Sequence, residues 1–406
     1  MRFNTFNFHP GIAKGIHDCG YTVPTPIQEK TIPLILDGRD VLGLAQTGTG
    51  KTAAFVLPVL QQLVKQPCKT ARSLIMTPTR ELAEQIHESI KMMATHTRIK
   101  SVAVYGGVGK SKQINAFKRG VDIIVACPGR LLDLMNEKAV TLDGIEVLVL
   151  DEADQMLDRG FLPDVKRIIR QLPVKRQSLV FSATMPREIQ RLTEDVQNHP
   201  VTVRANNTLP APTIAHALFT VEKQERTALL KQLLREQDMV TALVFTRTKH
   251  KARSLGAQLK KAGFNATSLQ GNLSQNQRQK SMDGFRTGVF NILVATDIAA
   301  RGIDVAGISH VINYDLPDTV ETYIHRTGRT GRADRTGQAY TFASGEDGKM
   351  VGRIEKALGK KMVKKRAASQ PTENKNKNKK PNLKSPGKST GRKRTAFNWA
   401  DSLSMA

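Results

Sequence analysis

The sequence predicts an α/β fold of two doubly wound parallel-sheet domains in tandem, followed by a disordered basic tail. Three observations carry that expectation. From Asp40 onward, short apolar β-rich runs alternate with helix-periodic stretches, the pattern of a parallel sheet with crossover helices. The alternation breaks once, at Asn206–Pro212 with Pro210 and Pro212, and then resumes. The 406 residues also correspond to roughly two to three domains at about 150 residues each. The domains are expected at 1–205 and 214–358, with a linker at 206–213 and the tail at 359–406.

Charge narrows the choice of partner. Sixty-two Lys and Arg against 36 Asp and Glu give a net charge of +26, which points to a polyanion such as nucleic acid. Half of that excess sits between Lys360 and Arg394, where fourteen Lys or Arg face the single acid Glu373, a net of +13. The other half lies on the body and can form a phosphate track. The three cysteines, Cys19, Cys68 and Cys127, are too scattered for a zinc site and odd in number for a disulfide framework, so a reducing, cytoplasmic setting is expected. No signal-peptide pattern or long apolar span argues for secretion or membrane insertion.

In chain order, Phe3, Phe6 and Phe8 precede a short helical pattern through Ile12 and Ile16 that stops at Gly20. Pro24 and Pro26 then make a rigid turn before Gln28 opens a helix that Pro33 should bend or restart. An amide such as Gln28 donates and accepts at once, as the Hoogsteen edge of adenine requires, although a lone Gln is more often a solvated surface residue. Next come Ala45, Gln46, Thr47, Gly48, Thr49, Gly50, Lys51 and Thr52, between the apolar run Asp40–Leu44 and the helical stretch Ala53–Val64. This reads as a phosphate-binding loop whose backbone N–H groups cradle phosphate oxygens at a helix N-terminus, with Ala45 where the strict pattern has glycine. Lys51 would neutralise β- and γ-phosphates and Thr52 would hold Mg²⁺.

Five further runs, Ser73–Thr77, Ser101–Tyr105, Asp122–Ala126, Glu146–Leu150 and Ser178–Ser182, each end in small or polar residues. In an open parallel sheet, ligands sit outside the carboxyl ends of the strands, so functional residues should cluster there. Asp151 at the end of its strand suits Mg²⁺, usually held through water, and Glu152 beside it can orient or deprotonate the attacking water. Helix capping alone would explain the two acids but not their company with Lys51 and Thr52. The second half has candidate strands at Ile214–Thr220, Ala242–Thr246, Ile292–Thr296, Ser309–Asn313 and Ala339–Ala343, and no lysine loop. It has instead Arg326, Arg329 and Arg332 at three-residue spacing among glycines, a density ill suited to a core. A solvated basic helix would explain them; the sharper reading makes Arg329 and Arg332 arginine fingers across an interdomain cleft.

Together these residues resemble a DEAD-box RNA helicase from Phe3 to about Leu358. Asp151-Glu152-Ala153-Asp154 is the motif that names the family, Gly20–Gln28 resembles its Q motif, and Ala45 at the head of the phosphate loop is normal for it. The resemblance implies two RecA-like domains, ATP and Mg²⁺ as cofactors, adenine contacts from Gln28 with stacking from Phe3 or its neighbours, and coupling of nucleotide state to closure through Asp154, Ser182 and Thr184. It also implies RNA-backbone contacts from Pro78, Thr79, Arg80, Gly106, Gly107, Arg130, Gln275, Arg278 and Thr296, and nucleotide contacts from Gly302 and Asp304. Cys127 departs from the family's usual Thr before Pro128-Gly129-Arg130, so a hydroxyl contact to RNA phosphate is in question. The compact core with a short basic tail resembles the bacterial RhlE group.

The expected function is that of a cytoplasmic ATP hydrolase and RNA helicase that clamps RNA and unwinds short duplexes, acting as a monomer in RNA metabolism such as ribosome assembly or RNA decay. The rivals are a DNA-acting relative and an ATP-gated RNA clamp or scaffold that unwinds little. The tail is low in complexity and acts either as an electrostatic tether or through Phe397 and Trp399, whose rings can stack on unpaired bases beside Arg392–Arg394.

Overall fold

The computed structural model describes residues 2–365 apart from 46–47, 65–69, 205–213, 237–238, 301–306 and 332–335. The expected linker and the chain from 366 onward, with Phe397 and Trp399, therefore lie outside the described residues. Among those described, seven strands build a first sheet: β1 (Val41–Leu44), β2 (Ser73–Met76), β3 (Ser101–Val104), β4 (Ile123–Ala126), β5 (Val147–Leu150), β6 (Gln177–Ser182) and β7 (Val201–Arg204). Their order is β3-β4-β2-β5-β6-β1-β7, and every pairing is parallel. Strands β2, β4 and β5 are buried along their whole length, as strands covered by helices on both faces must be.

A second sheet follows from β8 (Ile214–Thr220), β9 (Ala242–Phe245), β10 (Ala266–Leu269), β11 (Ile292–Ala295), β12 (His310–Asn313), β13 (Gly337–Ala343) and β14 (Val363–Lys365). Its order is β10-β11-β9-β12-β13-β8-β14. Counted from the first strand of each sheet, the two orders are identical, so the chain folds one architecture twice. We call the two halves the first and second lobes.

The strands anticipated from apolar runs are present with ends shifted by at most two residues. Three were not anticipated. Val201–Arg204 and Val363–Lys365 are edge strands with polar faces, and Ala266–Leu269 reads Ala-Thr-Ser-Leu, so none offers an apolar run to read. Val363–Lys365 corrects the tail boundary. Composition starts the tail at Gly359, yet Met362 is only 3% exposed in an apolar cluster and β14 pairs with β8. Charge had masked one buried methionine and a short strand. Of the two outcomes expected at Pro33, a restart does not occur, since the helix Pro26–Leu36 runs through it.

Helix Lys51–Leu63 is apolar almost all round and accordingly buried on nearly every side, with Phe55 packed on Phe181 of β6 at a ring distance of 5.3 Å. Burying a side chain of that size contributes roughly 1.5–3 kcal/mol. This core fixes the phosphate loop, because the loop is the only link between β1 and that helix.

In the second lobe, His216 of β8 is buried with Nδ1 2.8 Å from the Tyr323 hydroxyl. Burial pushes its pKa down to about 4, and Lys360 acts in the same direction. In the unfolded chain the imidazole takes its proton near 6.5, so between these values the unfolded state binds more protons. Stability from this group is full above about pH 6.5 and is lost as pH falls toward 4, by on the order of 3 kcal/mol. Thermal melts across that range should show a smaller acid-side decline in His216→Gln than in the parent. Equal declines would reject the assignment.

Candidate nucleotide and nucleic-acid site

The phosphate loop closes where β1 ends. Ala45 N donates to Ser182 O at 3.0 Å, joining the loop to β6, and Gly48 and Gly50 take φ of 87° and 89°, which only glycine adopts readily. Lys51 and Thr52 open the following helix. Lys51 Nζ is buried 3.9 Å from Asp151 Oδ1 and has no hydrogen-bond partner among the described residues. A buried ammonium in that condition is costly unless an anion completes it, so the residue fits a phosphate-bearing ligand.

Asp151 stands at the carboxyl end of β5. Burial pushes its pKa up to about 6 and Glu152 adds to the rise, while Lys51 opposes it. One oxygen accepts Glu152 N at 3.0 Å. A carboxylate so placed fits a hard cation, and Thr52, next to Lys51 in the first turn of the helix, is a candidate second oxygen. Glu152 itself is buried, with φ 54° and ψ 51°. A non-glycine residue in that left-handed region costs on the order of 1 kcal/mol or more and is commonly kept where a side chain must be aimed.

Asp154 connects this centre to β6. Its Oδ2 accepts Ala183 N at 3.1 Å, Thr184 N at 2.9 Å and Thr184 Oγ1 at 3.0 Å. Its own N–H donates to Ser182 Oγ at 3.3 Å, and that hydroxyl donates to Thr184 O at 2.7 Å. The three residues assigned to coupling are thus one hydrogen-bonded unit.

Gln28 is more engaged than a base-reading amide need be. Its Oε1 accepts Thr25 N at 2.9 Å in a capping box, and its Nε2 donates to Gly50 O at 3.0 Å. It therefore ties the helix Pro26–Leu36 to the phosphate loop, and a Cβ at Gly50 would sit 2.5 Å from its Nε2. Phe3 is not presented to a ligand. It is 7% exposed, stacked on Tyr21 at 6.0 Å and 21°, and set edge-on to Phe6. Tyr21, at 39% exposure, is the ring that faces outward, and the sequence reading passed over it.

Six of the nine residues assigned to RNA, Pro78, Thr79, Arg80, Gly106, Arg130 and Arg278, line one cleft of about 560 Å³ built from both lobes; Gly107, Gln275 and Thr296 are not in its lining. Thr79 also caps the helix Arg80–Met93 through Leu82 N at 3.1 Å. The Arg80 guanidinium lies across Gly106 and Gly107, where a Cβ on Gly107 would fall 2.0 Å from Nη1, and it reaches Gln275 Oε1 at 3.4 Å. Arg278 pairs with Glu81 across the lobes. Arg130 donates to Val108 O at 3.1 Å and Gln113 Oε1 at 3.3 Å. Thr296 is buried at the end of β11, its carbonyl accepting Ala299 N and Ala300 N. Cys127 borders the same cleft, with no side-chain cap on the helix Pro128–Asn136 and its thiol pushed up to about 12 by burial, so it stays neutral.

The arginine run divides. Arg326 is a core residue, 3% exposed, holding Asp297 with both nitrogens at 2.5 and 2.7 Å, accepted by Asn313 Oδ1 and Asp315 O, and lying 5.0 Å over the Phe245 ring. The expectation that arginine at this density avoids a core fails there because a carboxylate and carbonyls meet the guanidinium fork. Arg329 is also buried and borders a small cavity with His325. His325, unassigned from sequence, has its pKa lowered by burial, and Asp154, Arg329, Glu152 and Lys51 all act on it electrostatically. The imidazole of the second lobe is thus within electrostatic reach of the acids and lysine of the first. Gln46, Thr47, Gly302, Asp304 and Arg332 lie outside the described residues.

Known proteins agree with this geometry. Residues 25–192 match the DEAD/DEAH box helicase family, and residues 225–334 match the helicase conserved C-terminal domain. The chain is similar to the ATP-dependent RNA helicase CshA of Listeria monocytogenes, 41% identical over 89% of this chain and 69% of the relative. It is 45% identical to the RNA helicase CrhR of Synechocystis over 85% of this chain and 70% of that one. Among solved structures it resembles S. cerevisiae Dbp5 bound to RNA and ADP BeF3, with TM-score 0.83 and 32% identity over 90% of this chain and 96% of the other. Mss116p bound to ssRNA and AMP-PNP matches with TM-score 0.81 and 27% identity over 91% and 79%. With family matches over residues 25–192 and 225–334 and 41% identity to a relative over 89% of its length, the chain belongs to the DEAD-box ATP-dependent RNA helicase family.

Proposed function

We propose that this helicase closes its lobes on single-stranded RNA when ATP is bound between them, parts short duplexes because the closed cleft holds one strand bent, and reopens on hydrolysis. The observation that carries the reading is the cleft lined from both lobes, across which Arg80 reaches Gln275 Oε1 at 3.4 Å and Arg278 pairs with Glu81. In this reading Lys51 holds the β- and γ-phosphates and Glu152 orients the attacking water. Arg329 and Arg332 offset charge developing on the transferred phosphoryl group. Thr52 and Asp151 would hold Mg²⁺, which when bound neutralises phosphate charge. Asp154, Ser182 and Thr184 pass the state of the nucleotide to the cleft, where Arg80, Gly106, Gly107, Arg130, Gln275, Arg278 and Thr296 grip the RNA backbone. Gly302 and Asp304 would face the nucleotide.

The test compares RNA and DNA single strands of equal sequence as activators of ATP hydrolysis, with unwinding of a short RNA duplex measured alongside. RNA should activate and DNA should not, because the 2′-hydroxyl distinguishes them. Equal activation, or hydrolysis without unwinding, would favour a DNA-acting enzyme or a clamp. Adenine recognition has its own test. With Thr25 N and Gly50 O served, the Gln28 amide keeps one N–H and one lone pair, enough for the N7 and N6 of adenine but mismatched to O6 of guanine. Tyr21, backed by Phe3, supplies an aromatic face. ATP should be hydrolysed about 10-fold or more faster than GTP at limiting nucleotide, the scale of one two-point base contact. Equal rates would count against Gln28.

Within the family, the lysine- and arginine-rich stretch that follows the second lobe favours the RhlE group, acting as a monomer in the cytoplasm. Ribosome assembly or RNA decay are the settings that suit a helicase recognising RNA by its backbone.

A further inference from the structure

We propose that Met362 and Tyr323 are positioning residues for the helix that carries His325 and leads to Arg329, so that the segment after Leu358 contributes to turnover. The inference rests on the placement of Arg329 in the catalytic cleft made above.

Helix Val320–Thr327 has only eight residues, too few to hold its own orientation, so its roll about its axis is set by what it packs against. Tyr323 and Arg326, three residues apart, share one face. Arg326 fixes its end of that face through Asp297, Asn313 and Asp315. Tyr323 fixes the other end. Its ring is fully buried, and its hydroxyl lies 2.8 Å from His216 Nδ1 and 3.5 Å from Met362 Sδ. His325 is two residues from Tyr323, which at about 100° per residue puts it on the far side of the helix. A helix that rolls toward a gap at Tyr323 therefore displaces His325 and the following Arg329 from the positions they hold beside Asp297 and Phe245.

Met362 is what fills that gap. It packs in one cluster with Tyr323, Leu218, Ile354 and Leu358, and its backbone N–H donates to Glu355 Oε1 at 3.0 Å. Strand β14 begins at the next residue and pairs with Ala217, Leu218 and Phe219 of β8, the strand that also carries His216. In the shared strand order, β14 takes the place that β7 holds in the first lobe, so it is a regular part of the lobe.

The experiment uses full-length chains carrying Met362→Ala, Met362→Leu, Tyr323→Phe or Arg329→Ala, assayed well below the melting temperature of each. The readouts are kcat for RNA-stimulated ATP hydrolysis, KM for ATP and the melting temperature. Met362→Ala should lower kcat about 3- to 10-fold with KM for ATP within about twofold, since the lysine loop is untouched, and Met362→Leu should restore most of it. Tyr323→Phe, which keeps the ring and should fold even where Met362→Ala does not, should lower kcat in the same direction. Parent-like kcat in Met362→Ala or in Tyr323→Phe, with only the melting temperature reduced, would overturn the proposal. So would failure of leucine to rescue. Full turnover in Arg329→Ala would overturn both this inference and the site assignment beneath it, whereas an inactive Arg329→Ala beside a parent-like Met362→Ala would sink the inference alone.

Discussion

Glu152→Gln should hydrolyse ATP about 10² to 10⁴ times more slowly than the parent while still binding ATP and RNA, the usual cost of losing a general base. The substitution keeps side-chain length and shape. It leaves Lys51, Thr52 and Asp151 in place, and the bond from the backbone N–H of residue 152 to Asp151 Oδ1 does not depend on the side chain. Helix capping cannot stand in for catalysis as the reason for this glutamate, because its side chain makes no cap hydrogen bond although it occupies the N-cap position. Its left-handed backbone would also be relieved more easily by glycine or asparagine, so backbone geometry does not call for a glutamate there. Single-turnover hydrolysis with saturating RNA, beside equilibrium binding of a fluorescent ATP analogue, separates the two steps. Turnover near the parent's would remove Glu152 from its role.

Much of this site was legible in sequence because its chemistry lies at strand ends. A glycine loop with Lys51 and Thr52, and a carboxylate pair after four apolar residues, are local patterns, and a parallel sheet brings strand ends to one edge whatever the details of packing. What stayed hidden depends on partners distant in sequence. Arg326 reads as charge ill suited to a core until Asp297 and Asp315 are seen around it. Phe3 and Tyr21 are both plausible stacking rings, and only exposure shows that one backs the other. Gln28 makes two structural hydrogen bonds, and the sequence shows neither of the atoms that engage it. Met362 and β14 sit in a stretch where lysines dominate composition, so a short buried contact was read as tail.

That correction also decides where the tail can be cut. Removing everything after Leu358 would take away Met362 and β14 and would confound RNA tethering with damage to the second lobe. A chain ending at Lys365 loses ten lysines and arginines against two acids, a net of +8, and none of the residues assigned to ATP or the cleft. If the tail tethers RNA by charge, the truncated chain should bind RNA more weakly and with a shallower dependence of log affinity on log salt. Each neutralised phosphate on a single strand contributes a slope of about 0.7, so losing about four contacts flattens it by about 3. Between about 50 and 200 mM salt, the parent should then lose roughly 50-fold more affinity than the truncated chain. At saturating RNA the two kcat values should agree, because the cleft is intact. Recognition through Phe397 and Trp399 predicts something different: replacing both rings with alanine in the full chain would weaken binding as much as truncation does, with the salt slope kept, since every cation remains. Charge is the stronger reading, given basic residues spread from Arg366 to Arg394 and only two aromatics near the end. A salt titration of RNA affinity for the three proteins discriminates, and an unchanged slope on truncation after Lys365 rejects the tether.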